Sequence, residues 1–275
     1  MKPALVYKTY NPILPAKMFG EQYFIHSLIE DLVEERDNLD DIEGAIISIR
    51  ASDNIQYVDQ FNTDIARLKW CLIIVTGNEN SSDFHKQINH PNCKIWIQTP
   101  KRSDEADYFI GFGYPNQMDR TMISANKTHD WGFAGQVNTS SRRECVEVLR
   151  TMKNGVLVPT KGFNQGLEYN EYMQMLGDAK YIPCPSAIAT PDSFRIYEAL
   201  EMDCVPVLDA MTSEYFERVW GESYLLGVSR WVDFKNFIES NIGDFTENQI
   251  LCRNWWSERK LKIVQDLFNQ ISEIS

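Results

Sequence analysis

The sequence predicts an α/β fold with two units, each built on a parallel sheet. Short apolar runs typical of buried strands alternate with segments of helical periodicity, and this alternation stops once near the middle of the chain before it restarts. Strands that alternate with helices imply right-handed crossovers and parallel pairing. With 275 residues, 43% of them hydrophobic, the chain is long enough for two domains of ordinary size.

The first half is predicted to form one α/β unit. Its expected elements are strands 4–8, 44–49, 70–75, 93–97 and 108–112, a Pro-rich loop at 11–15, and helices 17–35 and 55–68. Ligands of parallel sheets collect beyond the carboxyl ends of the strands. Polar residues follow three of these strands, among them Thr9, Asp53 and Glu79.

The second half restarts the alternation after a polar stretch, residues 116–130, that has no periodicity and is predicted to be a linker. Its expected elements are strands 131–135, 155–159, 180–185, 204–208 and 224–226, and helices 141–152, 167–176, 213–220 and 232–238, with one more helix from about 247. A further helix is expected between strands 180–185 and 204–208, with Thr190 as its cap and Pro191 at its first position. Tyr169 and Tyr172 in helix 167–176 are interpreted as core residues.

The stretch 180–209 carries the clearest chemistry, because a cation and a carboxylate stand three residues apart near a helix N-terminus. Asp192, Arg195 and Glu198 are three residues apart and are predicted to share one helix face. Arg195, Ser193 and the helix dipole suit a diphosphate, and Glu198 suits ribose hydroxyls. The alternative is a surface salt bridge on an ordinary helix.

Two arginines near the start of helix 141–152 suggest a second part of the same site. Ser141 and Glu144 form a predicted capping box, which places Arg142 and Arg143 in the first turn. Cations oppose the helix dipole there, so a nearby anion would compensate them. The alternative is that both arginines face solvent.

The second half also resembles a known family. The motifs are Pro183-Cys184-Pro185, Asp192-Ser193-Phe194-Arg195, Tyr197-Glu198-Ala199-Leu200 and Cys204-Val205-Pro206-Val207. They resemble the C-terminal motif of exostosin-like glycosyltransferases and, more broadly, the donor-binding half of GT-B glycosyltransferases. The resemblance covers residues 131–209. The sequence departs from the pattern at Asp203, where a glycine is usual, and at Thr190, where many retaining relatives carry an acidic residue.

This resemblance implies a GT-B-like fold, in which two Rossmann-like domains with parallel sheets face one cleft. The predicted domains are residues 1–120 on the acceptor side, 121–245 for the nucleotide sugar, and a terminal helix, 246–275, that packs back on the first domain. It also implies that Glu198 holds the donor ribose. Gly135 and Arg142 or Arg143 are implied to join the diphosphate site, because a Phe-x-Gly strand precedes an Arg-bearing helix in such enzymes.

Asp53 is the candidate catalytic residue. An inverting glycosyl transfer needs a general base for the acceptor hydroxyl, and a carboxylate that follows a strand can reach the ligand crevice. The alternative is that Asp53 caps the next helix. Glu79 and His26 are weaker candidates for the base, while His85 and His90 match no metal-ligand spacing and are predicted to lie at the surface.

Composition limits the possible partners and the compartment. A net charge of −12 disfavours a broad nucleic-acid or anionic-membrane surface. No apolar run approaches the ~20 residues that span a bilayer, so no membrane span is expected. The six cysteines form no CxxC pair and are predicted to be free thiols, which favours a cytoplasmic location.

The predicted function is transfer of a sugar from a nucleoside-diphosphate sugar, UDP-linked, to an acceptor hydroxyl. No Asp-x-Asp motif is placed to hold a metal beside the nucleotide, so metal-independent transfer without a cofactor is expected. The acceptor is either a saccharide or other small molecule, or a hydroxymethylated base in DNA, as in phage genome modification. The alternative function is a non-catalytic nucleotide-sugar-binding or regulatory protein, because fold alone does not fix activity.

Overall fold

A computed structural model describes residues 2–10, 20–77, 83–101, 104–162, 165–187, 190–221 and 224–275. The chain divides into two compact units: unit 1 is Met1–Asn116 with Arg259–Ser275, and unit 2 is Gln117–Glu258. Each unit is built on one parallel sheet, with six described strands in unit 1 and five in unit 2. The predicted α/β class is therefore confirmed.

Unit 1 places its helices between the strands of a single sheet. Its described elements are β1 (Ala4–Lys8), α1 (Gly20–Ile29), β2 (Glu34–Arg36), β3 (Gly44–Arg50), α2 (Ala51–Asn54), α3 (Val58–Ile65), β4 (Trp70–Thr76), β5 (Cys93–Gln98) and β6 (Tyr108–Ile110). The strand order is β2-β1-β3-β4-β5-β6, and every neighbouring pair is parallel. Alternate residues of the central strands, such as Ile47 and Ile73, are fully buried in a core that also holds Phe61 and Phe84.

Two helix predictions for this unit are wrong in extent. The helix expected at 17–35 ends at Ile29, and the chain then forms a 3-10 turn and the edge strand β2. All three residues of β2 are charged and exposed, which suits a sheet edge but leaves no apolar pattern to detect. The helix expected at 55–68 is divided into α2, a 3-10 turn and α3. The predicted loop at 11–15 and helix start at 17 lie outside the described residues.

Unit 2 repeats the same plan after residue 128. Its elements are β7 (His129–Gln136), α4 (Ser140–Leu149), β8 (Gly155–Thr160), α5 (Tyr169–Asp178), β9 (Ala179–Cys184), α6 (Phe194–Glu201), β10 (Val205–Asp209), α7 (Ala210–Trp220), β11 (Leu226–Val228), α8 (Phe234–Asn241) and α9 (Phe245–Ile274). The strand order is β11-β10-β9-β7-β8, again with parallel pairs only.

The two sheets share a topological feature that locates ligands. In each, the strand order reverses beside the first long strand of the unit, between β1 and β3 in unit 1 and between β7 and β9 in unit 2. Open α/β sheets bind ligands in the crevice beyond the carboxyl ends of the strands at such a switch point. A ligand site is therefore expected among the residues that follow these strands.

The polar stretch 116–130, predicted to be a linker, belongs to unit 2 from Gln117 onward, and its last two residues begin β7. Arg120 donates to the carbonyl oxygen of Glu201 at 2.7 Å. Lys127 donates to the carbonyl oxygens of Leu176, Gly177 and Met202. The polar side chains of this stretch thus hydrogen-bond to the backbone at the ends of α5 and α6.

The long terminal helix α9 contributes buried aromatic residues. Trp255 and Trp256 are buried, and Trp256 Nε1 donates to Glu201 Oε1 at 2.7 Å. Residues 259–275 are grouped with unit 1, where Gln270 accepts a hydrogen bond from Trp96 Nε1 at 2.7 Å. Although α9 has 30 residues, neither it nor another described helix has the apolar length that crossing a bilayer requires.

Candidate functional site

The helix of the central motif starts later than the sequence predicts. Its cap is Ser193, not Thr190, and the first helical residue is Phe194. Asp192 is fully buried, and its carboxylate accepts hydrogen bonds from Ser193 N at 2.8 Å and from Tyr197 Oη at 3.0 Å. Because Asp192 is held in the turn before the helix, it does not share the face of Arg195 and Glu198.

Arg195 projects from the first turn of α6 onto the end of β7. Its Nη2 donates to Ala134 O at 2.8 Å, and its Cζ lies 4.5 Å from the centre of the Phe133 ring. Gly135, with φ of +145°, leaves room for this approach, since a Cβ there would lie 2.2 Å from Arg195 Nη2. The guanidinium is thus fixed beside the switch point between β7 and β9.

The remaining donors of Arg195 have no partner in the part of the chain that the structure describes. Its Nε and Nη1 are buried and make no hydrogen bond, and no described carboxylate forms an ion pair with this side chain. A buried donor without a partner costs about 1–3 kcal/mol, and more when it is charged. Arg195 therefore has N–H donors on Nε and Nη1 that a ligand with acceptor oxygens would satisfy.

Arg142 brings a second guanidinium to the same place. The cap of α4 is Thr139, whose side chain accepts from Arg142 N, so the predicted capping box of Ser141 and Glu144 is wrong. Arg142 Nη1 donates to the carbonyl oxygen of Gln136 at 3.2 Å, while its Nε is buried without a partner.

The two guanidinium groups are close enough for their positive charges to repel each other. Burial, followed by the positive charge of Arg195, lowers the pKa of Arg142 to about 10. Arg143, in contrast, is exposed. Of the two predicted arginines, the structure therefore brings Arg142 and not Arg143 to Arg195.

Two hydroxyl groups add to the unpartnered donors of this region. Ser193 Oγ does not cap α6 and is buried without a hydrogen bond, and Thr190 Oγ1 is in the same state. With Arg142 Nε and the two Arg195 atoms, the described residues of the segments that follow β7 and β9 hold five such buried atoms. We call the residues that carry these atoms, together with Gly135, the arginine site: Gly135, Arg142, Thr190, Ser193 and Arg195.

Glu198, one turn beyond Arg195, is held by a tyrosine that the sequence analysis assigned to the core. Tyr172 Oη donates to Glu198 Oε2 at 2.6 Å. Burial raises the pKa of Glu198, although the Tyr172 hydrogen bond and the charge of Arg195 act in the opposite direction. Tyr169, also assigned to the core, is 43% exposed and donates to the carbonyl oxygen of Gln117.

A buried carboxylate ties the two loops of the arginine site together. Asp209, at the end of β10, accepts hydrogen bonds from Ser141 Oγ at 2.6 Å and from Ser186 N at 2.9 Å. It also caps α7 through Thr212 N at 3.0 Å. Ser141 lies beside Arg142, and Ser186 lies in the loop after β9, so Asp209 fixes both. Its position at a strand end was the only sequence signal for this role.

In unit 1, Asp53 lies in the short helix α2, directly after β3, and is not a helix cap. Its Oδ2 forms an ion pair with Arg50 Nη1 at 2.9 Å, and Arg50 Nε also contacts Glu21 Oε2 at 3.1 Å. His26 is engaged by Tyr7 Oη at 2.5 Å and by Glu30 at 3.2 Å. Glu79 lies outside the described residues.

One surface prediction in unit 1 is wrong. His85 is 3% exposed, because it follows Phe84, which is fully buried in the core. His90 is partly buried and contacts the carbonyl oxygen of Leu68 at 3.1 Å. The polar sequence around both histidines gave no sign of this difference.

Comparisons with known proteins add no assignment: no family model matches the chain, and no curated protein matches it either. Within the described residues, no group of three or more His, Cys, Asp or Glu side chains is placed to hold a metal ion.

Proposed function

We propose that the protein is a glycosyltransferase that uses a nucleoside-diphosphate sugar, with the donor bound at the arginine site of unit 2. The observation that carries this proposal is the pair of guanidinium groups, Arg142 and Arg195, at the switch point of a parallel sheet: three of their buried nitrogen atoms have no hydrogen-bond partner among the described residues. We also propose that it belongs to the GT-B class and that the acceptor binds on unit 1.

A diphosphate suits the arginine site in both charge and hydrogen bonding. Two guanidinium groups without a carboxylate partner favour a ligand with more than one negative charge, and phosphate oxygens accept from planar N–H donors. The hydroxyl groups of Thr190 and Ser193 supply further donors. Such ligands collect where a parallel sheet reverses its strand order.

Glu198 extends the site towards a sugar. Its Oε2 already accepts from Tyr172, and a carboxylate has further acceptor capacity for ligand hydroxyls. A ribose diol beside the diphosphate matches this arrangement. UDP-linked sugars are the first donors to test.

In the proposed reaction, the acceptor oxygen forms a bond to the anomeric carbon of the donor, and the bond from that carbon to the diphosphate breaks. Arg142 and Arg195 stabilise the charge that develops on the departing diphosphate. Asp53 on unit 1 takes the proton of the acceptor hydroxyl. Since cationic side chains fill the electrostatic role, we expect the activity to persist with excess chelator.

A thermal-shift screen of nucleotide sugars, followed by an assay for released nucleoside diphosphate, tests the proposal. Wild type should be stabilised by at least one nucleotide sugar and should release its diphosphate, with slow hydrolysis as the minimum. Stabilisation without turnover would favour a nucleotide-sugar-binding protein without catalysis. No stabilisation by any nucleotide sugar or nucleoside diphosphate would refute the donor site.

A further inference from the structure

A second group of unsatisfied polar atoms lies in unit 1 and plays no part in the donor site. His85 is 3% exposed, and neither Nδ1 nor Nε2 has a hydrogen-bond partner. A neutral imidazole needs one acceptor and one donor, so both requirements of this ring are unmet. Burial lowers the pKa of His85, which keeps the ring neutral near neutral pH.

Two charged residues accompany His85. The Nζ atom of Lys101 is buried and makes no hydrogen bond. Asp104 Oδ1 lies 3.9 Å from His85 Nε2, too far for a hydrogen bond, and Asp104 Oδ2 accepts from the backbone N of Lys101 at 2.7 Å. The group thus places a cation and an anion beside the imidazole ring.

This group stands where a parallel sheet presents ligands. His85 lies in the connection after β4, and Lys101 and Asp104 lie in the connection after β5; both connections leave the sheet at its carboxyl edge. Asp53 follows β3 at the same edge. Between β5 and Lys101, Thr99 has φ of +53°, a rare conformation for a β-branched residue that is often found near functional sites.

We infer that His85, Lys101 and Asp104 form a second ligand site, which binds neighbouring hydroxyl groups of a saccharide. A hydroxyl both donates and accepts, so one can donate to the free ring nitrogen of His85 while another accepts from Lys101 Nζ. The carboxylate of Asp104 disfavours a phosphate here, whereas an uncharged polyol meets the needs of both His85 and Lys101. A chain with a net charge of −12 also repels DNA.

For its biological role, this site rests on the proposed function, in which it would hold the acceptor near Asp53. Saccharide binding itself does not depend on that function. The site therefore selects a saccharide from the two acceptor classes that the sequence leaves open.

The test follows the imidazole signals of the protein by NMR. The chain has four histidines, and the His85 signal is the one absent from His85→Gln. If that variant does not fold, the other three signals are assigned with His26→Gln, His90→Gln and His129→Gln, which leaves His85 by elimination. Methyl glucoside, methyl galactoside, N-acetylglucosamine and a duplex carrying hydroxymethylcytosine are then titrated into the wild-type protein.

At least one saccharide should shift the His85 signal in a saturable way. Lys101→Met should weaken the binding of that saccharide roughly ten- to a hundredfold, as expected for the loss of one hydrogen bond from a charged group. Lys86→Met is the matched control and should have no effect, because Lys86 is exposed and paired with Asp83 at 3.0 Å.

Any one of three results would overturn the inference. The first is a His85 signal that no saccharide shifts, as expected for a ring that contacts only buried water. The second is a shift that Lys101→Met leaves unchanged, and the third is a response to the DNA alone. Failure of the proposed function has a different signature. In that case nucleotide sugars would not bind, while the His85 signal would still respond to a saccharide.

Discussion

Arg195 Nη2 occupies the space that a side chain at residue 135 would need, since a Cβ on Gly135 would lie only 2.2 Å away. The guanidinium can therefore reach Ala134 O and the face of Phe133 only because residue 135 is glycine. Gly135 also has φ of +145°, which other residues rarely adopt. The end of β7 and the first turn of α6 thus pack together and form one part of the proposed donor site.

Gly135→Ala should displace Arg195 and weaken binding of the nucleotide sugar by at least about tenfold, which is about 1.4 kcal/mol. Isothermal calorimetry with UDP-sugars checks this. Gly243→Ala is the matched control, because no atom lies within 4 Å of a Cβ there, and its affinity should equal that of the wild type. Equal affinities in all three proteins would show that Arg195 does not hold the ligand.

Arg195→Met should lose about 2–5 kcal/mol of binding free energy for a nucleotide sugar, the range for removing one partner of a buried charge pair. The free energy of unfolding of the ligand-free protein should fall much less, because the variant also removes two buried donors without partners. Calorimetry and urea unfolding measure the two quantities.

Arg143→Met controls for the loss of a positive charge, since Arg143 is exposed in the first turn of the same helix as Arg142. It should bind nucleotide sugars like the wild type. Equal loss in Arg143→Met and Arg195→Met would mean that the site attracts anions only through its general charge.

The sequence predicted most strands well because buried parallel strands are continuous apolar runs, but it missed the charged edge strand β2 and placed β11 two residues early. The strand Ala4–Lys8 was placed at its true bounds, and Gly44–Arg50 and Trp70–Thr76 to within one residue. Helix starts were harder, because Asp192 and Thr139 act through side-chain contacts that several neighbouring residue types could also make.

The residues of the candidate site were predictable only in part. Motif and spacing singled out Arg195 and Glu198, but they could not decide between Arg142 and Arg143, which differ in burial. Tyr172 looks like a core residue in a periodic helix, and only its contact with Glu198 gives it another role. His85 was missed because burial at a loop depends on its neighbour Phe84.

Glu198 should make stability depend on pH in a direction opposite to most carboxylates. Its folded-state pKa is raised above 4.5, mainly by burial, so the native state holds the proton more tightly than the unfolded state. The free energy of unfolding should therefore fall as the pH rises from about 4.5 through the folded-state pKa. Glu198→Gln should abolish this component, and Tyr172→Phe should enlarge it, because the carboxylate loses a donor.

Urea unfolding at a series of pH values measures the effect. The difference in unfolding free energy between wild type and Glu198→Gln should grow with pH across that window and then become constant. A difference that does not vary with pH would show that Glu198 has no raised pKa.

Asp209 should make the free energy of unfolding depend on pH in the direction opposite to that of Glu198. Burial raises the pKa of Asp209, but the hydrogen bonds from Ser141, Ser186 and Thr212 outweigh burial and lower it below 3.8. Its stabilisation is therefore present above the unfolded-state value and is lost as the pH falls through the lower folded-state value.

Asp209→Asn should cost at least about 1.5–3 kcal/mol at neutral pH, the value for one hydrogen bond to a charged group. It should also weaken nucleotide-sugar binding, because Arg142 follows Ser141 in the chain. Asp233→Asn is a control, since Asp233 is exposed and precedes α8 without a side-chain cap. Unchanged binding in Asp209→Asn, with the stability loss present, would limit Asp209 to a structural role.

Asp53→Asn tests the acceptor side of the proposed reaction. Removal of a general base costs about 10²–10⁴ in rate, so turnover should fall by that factor while the affinity for the donor stays at the wild-type value. The variant keeps the shape of the side chain, and Arg50 retains its contact with Glu21 at 3.1 Å, so α2 should remain folded. Asp59→Asn, in the first turn of α3 and exposed, is the matched control and should keep full activity.

Because a base of this kind implies a single displacement at the anomeric carbon, the product should have the inverted configuration, which NMR of the product reads directly. Full activity in Asp53→Asn, or a product with the configuration of the donor, would remove Asp53 from the mechanism while leaving the arginine site of unit 2 in place.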